Sequence, residues 1–119
     1  MDNAKPQISV QYVGNVTVAA LTEPRILEQS EIDSLGDSIM PLIEQSDEIN
    51  MVIDFGKVEF CSSAVLGLLI RISKKIYQKN GSLGLCSIGP SILEIFRITR
   101  LDTIFDIYET QSQAIEGIE

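Results

Sequence analysis

"NMVIDFGKVEFCSSAVLGLLIRISKK", residues 50–75, is the stretch whose division decides the fold. Its opening, "NMVIDF", is a short apolar run ending at Asp54, the pattern of a strand buried on both faces. After "GKVEF" the period changes. At 100° per residue Val65, Leu68, Leu69, Ile72 and Ile76 share one stripe. That stripe predicts a long helix, roughly Ser62 to Lys79, lying on a sheet, with "KNG" closing it and Gly81 as the natural stop. Leu66, Ile70 and Tyr77 make a second stripe on the flank, which suits either a neighbouring helix or a partner.

The pattern extends on both sides. "QISVQYV" and "NVTVAAL" read as an antiparallel hairpin, Gln7–Val13 and Val16–Leu21, turning tightly at Gly14-Asn15. "TEPR" breaks the pattern. In "SEIDSLGDSIMPLIEQS" a helical face of Ile32, Leu35, Ile39, Leu42 and Ile43 follows, opened by a capping box of Ser30 and Asp33. Pro41 should kink or weaken that helix. Beyond the long helix, "SLGLCSI" is a second buried strand, and Gly89-Pro90 opens the helix "PSILEIFRI". "TIFDIY" is the last strand, and "TQSQAIEGIE" a short terminal helix expected to fray.

The order β-β-α-β-α-β-α-β-α predicts a single α/β domain, with a mixed, mostly parallel sheet behind an N-terminal β-hairpin. The 119 residues suffice for one core, and neither repeat nor linker interrupts them. One domain over 1–119 is expected, its core roughly 8–117.

Composition narrows the function. With 45% hydrophobic and 22% charged residues the chain reads as globular. Nine Lys and Arg stand against 17 Asp and Glu, a net charge of −8, which argues against direct nucleic-acid binding. The start "MDNAKPQISV" lacks the shape of a secretory signal, and "AVLGLLI" is too short to span a bilayer. No membrane association is expected. Cys61 and Cys86 are isolated and read as small buried hydrophobes, consistent with a cytoplasmic location. There is no histidine, so neither a zinc site nor a Ser-His-Asp triad is available. The glycines of "NGSLG" lie in the wrong context for a nucleotide loop. No metal, cofactor or small-molecule substrate is expected.

The long helix opens on two serines. Capping requires one hydroxyl, from Ser62 or Ser63, with Ser62 the better placed. Ser63 is left over on the outer side, followed along the helix by Gly67, Ile70, Arg71 and Lys74. A spare serine at a helix N-terminus is a favourable place for a phosphate, which another protein's kinase can add without a local base. Catalysis by Ser63 itself fares poorly. Lys74 lies roughly 16 Å along the helix, and Asp54 alone is a weak partner for serine chemistry. Asp54 reads as holding the turn "FGKVE" through loop amides, or as holding the Ser62–Ser63 loop. Arg71 and Lys74 read as solvated charges, or as partners for acidic groups on another protein.

At this point "VIDFGKVEFCSSAVLGLLIRISKK" resembles the core of STAS domains, the family of bacterial anti-sigma factor antagonists. The family pattern there is Phe, any residue, Asp-Ser-Ser/Thr-Gly-Leu-Gly. Phe60, Cys61, Ser62, Ser63, Ala64, Val65, Leu66 and Gly67 fill those places without a gap. Similarity continues through "NGSLGLCSIGPSILEIFRITRLDTIFDIY" and covers nearly the whole chain. Ser62 stands where the family has Asp, and Val65 where it has Gly. The resemblance implies an α/β sandwich and a non-enzymatic function: binding an anti-sigma factor and so releasing a sigma factor. It also implies phosphorylation at Ser63 by a kinase-type anti-sigma factor, reversed by a PP2C-type phosphatase. The competing reading is a STAS scaffold of constant affinity in a larger signalling assembly.

Overall fold

After an antiparallel hairpin the chain alternates strands with helices, so that the later strands of the main sheet run parallel through crossovers. In the computed structural model, which describes residues 7–118, two strands come first, β1 (Ile8–Val13) and β2 (Val16–Leu21). They are antiparallel and joined at Gly14, whose φ of 60° is open to glycine at little cost. β3 (Arg25–Ile26), α1 (Gln29–Glu44) and β4 (Asn50–Asp54) follow. Next come β5 (Phe60–Cys61), α2 (Ala64–Gln78), β6 (Ser82–Cys86) and α3 (Pro90–Ile98). A 3₁₀ turn (Leu101–Thr103), β7 (Asp106–Tyr108) and α4 (Gln111–Ile118) complete it. Residues 1–6, on which the reading of the chain start rests, and residue 119 lie outside the described part.

The main sheet has the order β1-β2-β4-β6-β7, parallel from β2 onward. The predicted α/β class and hairpin are therefore present. Two short strands were missed: β3 and β5 pair in parallel as a separate two-stranded ribbon. Runs of two residues are too short to carry a period.

The central strands are buried on both faces, as their continuous apolar runs required. On one face Leu21, Met51, Ile53, Leu83 and Leu85 pack with the apolar sides of α1, α2 and α3. On the other, Val16, Val18, Val52 and Cys86 meet Ala114 and Ile118 of α4. The terminal helix is thus docked by its apolar side, where fraying was expected. Val65, Leu68, Leu69, Ile72 and Ile76 of α2 are all buried, as their stripe predicted.

Three details depart from the sequence reading. The start of α1 is set by Glu31, whose Oε1 accepts the N–H groups of Leu27 and Glu28, each at 3.0 Å. Ser30 and Asp33 lie inside the helix, and Asp33 instead accepts the Gln29 side-chain amide at 2.9 Å. Pro41, expected to kink or weaken α1, lies inside its last turn, and the helix runs on to Glu44. The close of α2 is a Schellman arrangement in which Asn80, at φ 60°, takes the left-handed position. The N–H of Gly81 then reaches the carbonyl of Ile76 at 2.9 Å and that of Asn80 reaches Tyr77 at 3.1 Å. Gly81 is needed for a different reason: a Cβ there would collide with the Ile49 carbonyl oxygen.

Candidate functional site at the mouth of helix α2

Ser62 and Ser63 enter α2 from β5, and the backbone gives them different work. The Ser62 N–H donates to the Ile26 carbonyl at 2.9 Å, anchoring it to the ribbon. Its Oγ accepts the Ala64 N–H at 3.1 Å, and its carbonyl accepts the Val65 N–H at 3.0 Å. Ser62 therefore performs the capping. Ser63 already has helical angles, φ −61° and ψ −19°, and its hydroxyl makes no capping bond. It is exposed.

The first turn of α2 carries no acidic side chain, so nothing on the helix competes there with an added negative charge. Along the outer side, Gly67 is exposed, and a Cβ placed on it would meet nothing within 4 Å. Ile70 is half-buried against the core, while Arg71 and Lys74 are exposed and, among the described residues, form no ion pair. Leu66 of the flanking stripe is buried, whereas Tyr77 is half exposed. The flank is thus divided between core at its start and solvent at its end.

Asp54 is not part of the serine pair's hydrogen bonding. One carboxylate oxygen accepts the Gly56 N–H and the other the Gln111 side-chain amide, both at 2.7 Å. It pins the turn after β4 and ties the start of α4 to the sheet. Beside it, burial pushes the Cys86 thiol up to about 11, the Asp54 charge adding to this and a hydrogen bond with Ser87 opposing it. Burial also raises the Cys61 thiol, so neither cysteine is an activated nucleophile. Among the described residues no group of metal-ligating side chains converges, and no helix is long and apolar enough to cross a membrane.

One feature of the mouth escaped the sequence reading. Phe60 is 51% exposed with the Arg25 guanidinium 5.1 Å from its ring centroid, a cation–π pair, and Leu27, just past the ribbon, is 49% exposed. The ribbon register places Arg25 opposite Phe60. The only signal available was the pairing of "PRI" with "EFC", and it spans too few residues to read.

The mouth of α2 thus presents an exposed hydroxyl beside an apolar and cationic margin. Residues 7–114 match the STAS domain family, and the chain belongs to it. Proteins of this family of the anti-sigma antagonist kind bind and do not catalyse. The chain is 22% identical over 113 residues to an anti-sigma F factor antagonist of Paenibacillus polymyxa, covering 95% of each. BtrV of Bordetella bronchiseptica, described as a candidate anti-sigma factor antagonist, is 31% identical over 67 residues, 56% of this chain and 58% of its own length. That match spans little more than half of the relative. An anti-sigma-factor antagonist (STAS) domain protein from Planctomyces limnophilus superposes with a TM-score of 0.86. It is 25% identical, with 93% of this chain and 97% of that one covered.

Proposed function

We propose that the chain is an anti-sigma factor antagonist, working in the cytoplasm, that takes an anti-sigma factor on the outer side of α2 and is switched by phosphorylation of Ser63. The observation that carries this is the division of labour at the helix mouth. Ser62 spends its hydroxyl on the Ala64 amide, and Ser63 keeps an exposed hydroxyl free of the cap. Gly67, Ile70, Arg71 and Lys74 continue the contact surface, Gly67 allowing close approach and the two cations orienting acidic groups of the partner. A kinase-type anti-sigma factor adds the phosphate and a PP2C-type phosphatase removes it. The relatives' names support the antagonist role, and the family motif aligned at Ser63 supports the switch.

A phosphoryl group adds about −1.5 to −2 charge at pH 7. The α2 dipole favours it locally, so the fold survives modification. The complex does not, because a desolvated dianion without a matching cation costs several kcal/mol. Ser63→Ala should stay folded and bind constitutively, and Ser63→Glu should fold but bind weakly. Pull-down from a lysate of the source organism with each variant, followed by mass spectrometry of partners and of Ser63, tests this. Equal recovery of one set of partners by both variants would replace the switch with a scaffold of constant affinity. Ser62 at the family's Asp position is the feature that favours that second reading.

A further inference from the structure

The two edges of the main sheet are built differently. β7 is short, three residues, and carries Asp106, which discourages pairing. β1 is six residues, "ISVQYV", with neither charge nor proline, and five of the six are exposed. Among the described residues nothing pairs with its outer side.

The register shows which groups are left open. Thr22 donates its N–H to the Gln7 carbonyl at 3.1 Å, in line with the Ile8–Leu21 pairing. Antiparallel partners alternate between bonded and unbonded pairs, so Ser9, Gln11 and Val13 bond to β2. Ile8, Val10 and Tyr12 therefore turn their N–H and C=O groups to the free edge. Their side chains share one face, where Val10 is 36% and Tyr12 71% exposed.

From this geometry we infer that β1 is a homodimer contact, pairing antiparallel with β1 of a second copy about a twofold axis at Val10. In that register Val10 faces Val10, and Ile8 of each copy faces Tyr12 of the other. All the outward backbone groups of Ile8, Val10 and Tyr12 are then satisfied. A second copy fits better than a foreign strand for two reasons. The open groups are self-complementary about Val10, each Ile8 finding an apolar Tyr12 ring. The strip is also neutral, so a chain of net charge −8 can approach its own copy there with no carboxylate against carboxylate. A contact of one strand lies below the roughly 1,200 Å² of a standard stable interface, so dimerisation depends on concentration. The contact uses none of the residues proposed for the Ser63 switch.

Sedimentation velocity over a wide concentration range reads this directly. The native weight-average mass should rise from 13.1 kDa towards twice that value. Val10→Pro removes only an N–H that β2 does not use, so the ladder inside the monomer is kept. It should raise the dimer dissociation constant by roughly tenfold or more. Val10→Lys sets two ammonium groups against each other on the axis and should do the same, serving if the proline variant does not fold. Val10→Cys should form an intermolecular disulfide under mild oxidation, because Cα atoms of a bonded pair are about 5.5 Å apart. Tyr12→Cys should not exceed the native background, its two copies being roughly 14 Å apart. A native chain that stays monomeric throughout would overturn the inference. So would unchanged dimerisation in both Val10→Pro and Val10→Lys, equal cross-linking of the two cysteine variants, or β1 engaging only a foreign strand.

Discussion

Replacing Lys79 with Met should loosen the joint between α1 and α2. Lys79 caps the end of α2, and its ammonium donates to carbonyls at and just past the C-terminal end of α1: Ile43 at 3.0 Å, Glu44 at 2.8 Å and Ser46 at 2.7 Å. The last turn of α1 has no basic residue of its own, so this cation serves its negative dipole end from another helix. A hydrogen bond to a charged group contributes about 1.5–3 kcal/mol net when buried. Here one acceptor is exposed and two are half-buried, so water recovers much of that on substitution. A remaining penalty for the half-buried carbonyls, with about 0.5–1 kcal/mol from the dipole, gives a loss of about 2 kcal/mol. Met preserves the length and apolar stem of the side chain, which isolates the charge. At a urea m-value of about 1–1.5 kcal/mol per M, the unfolding midpoint should fall by roughly 1.5 M with m unchanged. Lys74→Met, an exposed cation on the same helix, is the control and should move it little. A Lys79→Met midpoint indistinguishable from that of Lys74→Met would refute the reasoning.

Three further outcomes follow from the same packing. Ser62→Ala frees the Ala64 amide and should cost about 1 kcal/mol in urea unfolding, with partner recovery in the pull-down unchanged. Gly81→Ala drives a Cβ into the Ile49 carbonyl, a backbone atom with little room to give, and should lower stability by about 3 kcal/mol or a little more in thermal unfolding. Glu31 has its carboxyl held below the usual value by the N–H groups of Glu28 and Leu27. Its folded-state value lies below the unfolded one, so its contribution is present at neutral pH and disappears as pH falls through the folded value. Glu31→Gln should flatten the acid limb of a plot of urea midpoint against pH; an unchanged slope would count against the capping assignment.

What could be read from the sequence was whatever repeats along it. The hairpin, the doubly buried β4 and β6, and the α2 stripe each span five or more residues, enough for period and burial to show. The misses share a cause. Glu28–Glu31 and Ser30–Asp33 are both acceptable helix starts, and the choice depends on where the chain leaves the ribbon at Ile26. The β3–β5 pairing joins two-residue segments far apart in sequence. The buried contacts of α4 come from Ala114 and Ile118, and their burial needs Val16, Val18, Val52 and Cys86 from three strands. At the candidate site Ser62 and Ser63 were legible as a cap and a spare because the requirement is local. The Arg25–Phe60 pair beside them was not, since it needs the ribbon to exist.

That difference bears on why two adjacent serines in a chain without histidine can have separate fates. Ser62 is held at both its N–H and its Oγ, by the Ile26 carbonyl and the Ala64 amide. Modifying its hydroxyl would break the cap that starts α2, so Ser62 is a poor phosphoacceptor on structural grounds. Ser63 sits one residue further on, with backbone angles already helical, and its side chain can gain bulk and charge with the helix start intact. On the switch proposed above, this division between the two hydroxyls directs the phosphate to Ser63. Phosphopeptide mapping of the purified chain treated with a kinase-type anti-sigma factor should therefore find Ser63 modified and Ser62 not. Modification at Ser62, with α2 still folded, would show that the cap does not decide the choice.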